Sequence, residues 1–250
     1  MDMDIQRIGV ITGASRGIGA AIARELAERG YELVINARDE AALGRKVLEL
    51  ESLGAWVRAV PGDISFPETS ERIFSLVEKR LSELGDGAEL VLINNAGISH
   101  VGLIQDMSVE QWQRLMGVNL GGMFYTVRKA VPLMLSRKSG HIVNISSVWG
   151  QVGASMEAAY SASKGGVDAF TRALAKELAP SGICVNALSL GAMDTSMNDC
   201  FSPEEKQAIA EDIPAGRFGD PKEAARICAE LCQCSHYLTG QIIRLDGAWI

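Results

Sequence analysis

The chain has 250 residues, 47% of them hydrophobic, with 24 Lys and Arg against 31 Asp and Glu and a formal net charge of −7. That length holds one large α/β domain or two small ones, and that apolar share supports a sizeable core. The acidic balance excludes the basic footprint of a nucleic-acid binder, and no apolar run reaches the length of a membrane span.

The first predicted element is an apolar strand at 8–12, followed by the turn Thr12-Gly13-Ala14-Ser15-Arg16-Gly17-Ile18-Gly19 and a helix at 18–29. Gly13, Gly17 and Gly19 let the backbone turn tightly and approach a pyrophosphate, which meets the N–H groups at the positive end of the helix. The spacing Gly-x-x-x-Gly-x-Gly departs from the commoner dinucleotide fingerprint, and its strand-turn-helix setting supports the reading. A second strand at 32–36 leads to Ala37 and Arg38. A site for NAD places an acidic residue there to accept from the ribose 2′-hydroxyl. Here Ala37 stands instead, with Arg38 next and Arg16 projecting from the glycine turn. Two guanidinium groups without a carboxylate suit a 2′-phosphate, so the expected cofactor is NADPH.

A helix at 40–53, a strand at 56–61, a helix at 67–84, a short connection at 85–88 and a strand at 89–94 continue the alternation. A long helix at 109–136, a strand at 141–146, a helix at 157–179 and a strand at 184–188 follow. Residues 193–218 form a longer connection than most and are read as a helical lid, in which Asp194, Asp199, Glu204, Glu205, Glu211 and Asp212 outnumber Lys206 and Arg217. A helix at 221–233 and a strand at 242–245 complete the chain. Strands rich in β-branched and aliphatic residues, alternating with helices, predict one α/β domain over 1–250. It is a doubly wound, Rossmann-like parallel sheet of about seven strands with helices on both faces. Its ligand belongs at the carboxyl ends of the strands.

The cysteines Cys184, Cys200, Cys228, Cys232 and Cys234 all fall in the last third and lack the paired spacing of a zinc motif. Cys228, Cys232 and Cys234 suggest either a metal cluster or buried thiols around the last helix. With His236 the only imidazole near them in sequence, the reading is reduced thiols in a cytoplasmic protein and no metal.

Tyr160 and Lys164 stand four residues apart on one face of the helix predicted at 157–179, and Ser147 lies thirteen residues before the tyrosine. An ammonium beside a phenol favours the phenolate and lowers a pKa that is otherwise about 10. That moves it toward the range where proton transfer is efficient. Y-x-x-x-K alone occurs on many amphipathic helices; its conjunction with Ser147 and a glycine turn is what points to catalysis. A dinucleotide sensor without chemistry needs the turn but no acid/base set.

Together these motifs resemble the short-chain dehydrogenase/reductase family over essentially the whole chain. The glycine turn, Asn94-Asn95-Ala96-Gly97 after the fourth strand, Asn119, Ser147, Tyr160 and Lys164 carry the likeness. The resemblance implies an oxidoreductase acting on CH–OH or C=O groups, with Tyr160 as general acid and Ser147 hydrogen-bonding the same oxygen. It implies that Lys164 tunes the phenol and holds the nicotinamide ribose, and that Asn119 anchors a water for reprotonation. Without the resemblance, Asn119 reads equally as a residue bonding local backbone. Further implied cofactor contacts are Ser15, Ile18, Asp63 and Ile64 near the adenine end, Asn95, Ala96 and Gly97 near the adenosine ribose, and Met193 and Thr195 near the nicotinamide amide. Leu190-Gly191 stands where the family usually has Pro-Gly. A homotetramer built on the long central helices and the last strand is also implied.

Within the family the chain is similar to 3-oxoacyl-(acyl-carrier-protein) reductases, through Gly182-Ile183-Cys184-Val185-Asn186 and the Leu238-Thr239-Gly240-Gln241 ending. Arg137 and Lys138 take a position such reductases use to dock an acidic carrier. The run from Asn144 to Gln151, with Trp149 after the serine, then Met156 and Glu157, is also similar to reductases of 5-aminopentanonylated elongation factor P, whose substrate is a modified lysine on a protein. A cationic amine there would be drawn to Glu157 or the lid carboxylates and stack on Trp149; Trp149 that merely packs the wall is the alternative. Trp149, Gln151 and Met156 are the expected substrate pocket, and steroid or sugar ketones remain open.

Overall fold

A computed structural model describes residues 5–199 and 201–250, so the expectation for Cys200 lies outside the described residues. The strands are β1 (Arg7–Thr12), β2 (Glu32–Ala37), β3 (Val57–Pro61), β4 (Glu89–Asn94), β5 (Gly140–Ser147), β6 (Ile183–Leu190) and β7 (Ile242–Leu245). They form one sheet in the order β3-β2-β1-β4-β5-β6-β7, with every neighbouring pair parallel. Strands such as β4 and β6 are buried along their whole length, which is why they read as continuous aliphatic runs rather than alternating ones.

Parallel neighbours need crossovers, and these supply the helices. Helices α1 (Gly17–Glu28) and α2 (Glu40–Glu51), with the last helix of the chain, bury Ile22, Leu26, Leu43 and Cys228 against one face. Helices α3 (Pro67–Leu84), α4 (Val109–Met116) and α5 (Gly122–Arg137) lie on the route to β5; α3 and α5 bury Ile73, Val77 and Met134 against the other face. A short α6 (Trp149–Val152) and a long α7 (Ala158–Leu178) follow β5. Helices α8 (Pro203–Asp212) and α9 (Pro221–Leu231) complete the set, each opened by proline and a capping box: Ser202 with Glu205, and Asp220 with Glu223. Successive strands are added on one side of β1 up to β3 and on the other side from β4 onward, and a crevice opens at the carboxyl ends of the strands at that switch.

One expectation is revised and two are refined. The helix predicted at 109–136 is continuous but carries a π turn at Gly117–Gly121 between α4 and α5. One residue added to the i→i+4 ladder leaves the apolar periodicity almost unchanged, and it occurs at the site where it turns Asn119 inward. Within α5, Val127 is buried and Leu135 is 42% exposed. The lid contains α8 and a single turn at Ser196–Asn198, and α8 buries none of its residues.

The thiols also sit differently in space than in sequence. Cys228 and Cys232 are buried along α9, but Cys184 and Cys234 gather near His141, an imidazole from β5. No helix among the described residues is long and apolar enough to cross a membrane.

Candidate active site

The turn after β1 is packed too closely to admit side chains. Gly13 takes φ +68°, and a Cβ on Gly19 would stand 2.3 Å from the Gly13 carbonyl oxygen and 2.4 Å from Asn95 Nδ2. The start of α1 is therefore pressed against the turn. No side chain caps that helix and none in its first turn is acidic, so its amino-terminal N–H groups keep their affinity for an anion. Asn95 and Thr12 fix the arrangement from β4. Asn95 Nδ2 donates to the carbonyls of Thr12 (2.9 Å) and Gly13 (3.1 Å), while Thr12 Oγ1 accepts from the N–H groups of Asn95 and Ala96, each at 3.0 Å. The Nδ2 of Asn95 is thus committed to the turn, while the residue still lines the cavity.

A cavity of about 960 Å³ runs from this turn across the carboxyl ends of the strands. Its walls include Gly13, Ser15, Arg16, Gly17, Ile18 and Gly19 from the turn, and Arg38, Asp63 and Ile64 after β2 and β3. Asn95, Ala96 and Gly97 after β4, and Met193 and Thr195 after β6, continue them. Arg16 and Arg38 are both exposed along it. The neighbouring carboxylate of Asp39 accepts from Ala42 N at 2.9 Å as the cap of α2. The acid nearest the expected ribose position is in this way already used. Asp63 is likewise engaged: against the burial that would raise it, Arg114 and Ser65 hold its carboxyl down to about 2.

At the other end of the cavity Ser147 is the last residue of β5, and buried Tyr160 and Lys164 rise from α7 one turn apart. The Ser147 oxygen accepts from Trp149 N at 3.3 Å. Lys164 Nζ donates to the Ile145 carbonyl at 2.8 Å and lies 5.7 Å from the centre of the Tyr160 ring. The acidifying effect expected of Lys164 on the phenol is not what governs it here. Burial pushes Tyr160 up to about 12, opposed by its hydrogen bond with Ser147 and aided by Glu157. Burial also lowers Lys164 to about 8, with Asp168 pulling the other way. The phenol is consequently a proton holder at neutral pH, which is the state a general acid needs.

Asn119, turned inward by the π turn, bonds the backbone of Ile98 in both directions: its Oδ1 accepts from Ile98 N at 2.8 Å and its Nδ2 donates to Ile98 O at 2.9 Å. Nδ2 also reaches Ser163 Oγ at 3.0 Å. Asn119 does not line the main cavity. It borders a separate pocket of about 10 Å³ shared with Lys164, Thr12 and Asn94, room for about one water among polar groups.

Of the expected substrate residues, Trp149 lines the cavity and Gln151 and Met156 do not. Gln151 is exposed and its Nε2 donates to Ser189 Oγ at 3.0 Å, because the turn of α6 carries it to the outer side. Met156 has φ +64° and is exposed, its backbone rather than its thioether being used: its carbonyl accepts from Gly102 N at 2.8 Å. The lid faces the cavity with Met197, Phe201, Ile209 and Phe218, and its six carboxylates do not line it. Glu157 does, its Oε2 accepting from Ser99 Oγ at 2.7 Å.

Sequence reasoning missed Trp249, whose ring centre lies 4.9 Å from that of Trp149 across the cavity wall. Nothing local marks it, since the contact depends on β7 returning the chain to the site. It also missed Asp168, buried one turn beyond Lys164 and raised by that burial against the pull of Ser146, Arg172 and Lys164; the i+4 spacing from a functional lysine was the available signal. Arg137 and Lys138 precede β5, whose Ser147 end faces the cavity. Seven steps along a strand separate Gly140 from Ser147, about 23 Å at ~3.3 Å per residue. Neither residue lies beside this protomer's own site, so docking through them is an expectation for an assembly of several copies.

The short chain dehydrogenase family model matches residues 7–206. The uncharacterized oxidoreductase YmfI of Bacillus subtilis (strain 168) is 37% identical over 250 residues, covering 98% of this chain and 99% of that protein. A 3-oxoacyl-[acyl-carrier-protein] reductase, FabG of Staphylococcus aureus (strain Mu50), is 36% identical over 247 residues, covering 98% of each. Among solved structures, an actinorhodin polyketide ketoreductase variant with NADPH superposes with a TM-score of 0.90 at 32% identity, covering 100% of this chain and 99% of that one.

Proposed function

We propose, from the premise that the chain belongs to the short-chain dehydrogenase family, that it reduces a ketone with NADPH and that Tyr160 is the proton donor. The observation that carries the reading is one cavity holding a glycine cradle at one end and Ser147, Tyr160 and Lys164 at the other. The cradle fits a dinucleotide: side chains are excluded at Gly13 and Gly19, and the uncapped start of α1 faces the same turn. Arg16 and Arg38 would hold a 2′-phosphate, Gly97 and Lys164 the nicotinamide ribose, and Met193 and Thr195 the amide.

NADPH, when bound, supplies hydride to the carbonyl carbon, so that negative charge develops on the carbonyl oxygen. Tyr160, protonated at neutral pH, donates its proton to that oxygen, and the Ser147 hydroxyl stabilises it by a second hydrogen bond. Lys164 supplies positive charge beside the phenol. The one-water pocket bordered by Lys164 and Asn119 is where a proton returns to the pair from solvent. Asp168 acts as a positioning residue, keeping a counter-charge under the lysine.

The substrate supported by the relatives is a 3-oxoacyl thioester. A second reading, reduction of a 5-aminopentanone-modified lysine on elongation factor P, is favoured by one observation: Glu157 and the Trp149–Trp249 pair share the cavity wall. A carboxylate beside two indoles suits a cationic amine better than an uncharged acyl chain. The assembly proposed is a homotetramer, supported by Phe124 and Leu135 on α5, which are 46% and 42% exposed. A cytoplasmic location accords with the free thiols.

The test follows NADPH or NADH absorbance with acetoacetyl thioester, aminopentanone, steroid and sugar carbonyls. Turnover that prefers NADPH and accepts one of the first two supports the proposal. Turnover confined to NADH, or to no ketone in the set, overturns it. Glu157→Gln then separates the substrates, raising KM for the aminoketone and leaving that for the thioester unchanged.

A further inference from the structure

We propose that His141, Cys184, Cys234 and His236 form a closed structural site for zinc or a like divalent cation, at the amino-terminal ends of β5 and β6 and away from the catalytic cavity. The register of the sheet makes the first pair. His141 and Cys184 are direct partners in the parallel β5–β6 ladder, so their side chains leave the sheet on the same face from strands about 4.8 Å apart. The segment after α9 adds the second pair as it passes over that face toward β7.

Three of the four groups already cluster, and the fourth adjoins one of them. A ring nitrogen of His141 and the sulfurs of Cys184 and Cys234 all lie within 4.8 Å of one another, and Cys184 Sγ is 3.6 Å from His236 Nδ1. The two imidazole rings are 5.6 Å apart at their centres. A tetrahedron with Zn–S of about 2.3 Å and Zn–N of about 2.0–2.1 Å has edges of roughly 3.4–3.8 Å. His141, Cys184 and Cys234 thus need side-chain adjustments of about an ångström, while His236, near Cys184 but outside that trio, must swing further on its exposed segment to complete the set, without movement of the strands.

The surroundings resemble the outer shell such a site requires. His141 Nε2 lies 3.7 Å from the Glu89 carboxylate, itself held by Arg7 at 2.9 Å and by the Ser139 hydroxyl, while His141 Nδ1 is buried without a hydrogen-bond partner. One nitrogen is faced by an anchored carboxylate and the other is left over for a ligand. Asn186, two residues beyond Cys184 and on the same face, holds the incoming segment: its Nδ2 donates to Leu238 O at 2.8 Å and approaches Cys234 Sγ at 3.9 Å. Its Oδ1 accepts from Gln241 N at 3.0 Å. His141 and Cys184 are buried, Cys234 is half-buried and His236 exposed, so an ion can enter from solvent on the His236 side. Binding releases the two thiol protons to solvent, and two thiolates with two neutral imidazoles balance a dication. All four positions come from the protein and none is open to a substrate. The role is structural: the ion pins the connection between α9 and β7 to the ends of β5 and β6.

The test uses the full chain after chelator treatment and reduction, titrated with Co²⁺. The expected result is one equivalent bound per chain, with thiolate-to-cobalt charge-transfer absorption and the visible bands of tetrahedral cobalt, displaced by Zn²⁺. Zinc in excess should raise Tm by about 5–10 °C, as tight binding to the native state does in a domain of this size. Cys234→Ser and His236→Ala, at partly and fully exposed positions, should each lose the tetrahedral spectrum and the Tm shift while retaining cooperative unfolding. The proposal is overturned if cobalt produces no thiolate band, or if both variants bind as the unaltered chain does.

Discussion

Lys164 places a measurable pH dependence in the stability of the protein. Its ammonium is buried in α7 and its pKa is lowered from 10.5 to about 8, with burial the leading cause. Between those values the unfolded chain binds a proton that the native one does not, so stability contributed at this position rises with pH. Each pH unit is worth about 1.4 kcal/mol, which amounts to ~3 kcal/mol across the whole window. Tyr160 works oppositely: raised from 10.0 to about 12, it holds a proton in the native state that the unfolded chain has released, and stability from it falls between those pH values. The clean interval is therefore pH 8 to 10. Urea unfolding of the wild type and of Lys164→Met, at half-unit steps from pH 7 to 10, isolates the lysine by difference. The wild type should gain about 2–3 kcal/mol on the variant over the interval. A difference that stays flat, or that falls with pH, would refute the reasoning about a lysine buried at a cost.

Gly19→Ala forces a Cβ onto backbone atoms of the turn at 2.3 Å; calorimetry should show a loss of about 1–3 kcal/mol, with NADPH fluorescence titration reporting weaker binding. Arg38→Ala should raise KM for NADPH by about 10–100-fold and leave NADH kinetics nearly unchanged, as loss of a charge-assisted hydrogen bond does. Turnover of the wild type should decline above pH 8 as Lys164 loses its charge, and a stopped-flow pH profile of NADPH oxidation checks this.

The sheet was legible in the sequence because doubly covered strands must be continuous aliphatic runs, and all seven were placed to within two residues. The glycine turn and the Ser147, Tyr160 and Lys164 set were legible because their spacing serves local geometry: one strand end, one helix face. What the sequence concealed depends on depth or on distant chain segments. The raised Tyr160 pKa comes from burial, which overrides a neighbouring lysine. The π turn that aims Asn119 leaves no trace in the periodicity. Gln151 lies outside the cavity wall on the short helix α6, and Met156 lies outside it at a positive φ. Trp249 reaches the site, and His141 reaches Cys184, only through strand order and register.

The central claim is that one phenolic hydroxyl delivers the proton during ketone reduction. The most direct measurement is turnover of Tyr160→Phe beside its affinity for NADPH. The expected loss is about 10²–10⁴-fold in kcat with the dissociation constant for NADPH essentially unchanged. A variant that reduces the ketone at the wild-type rate would contradict it.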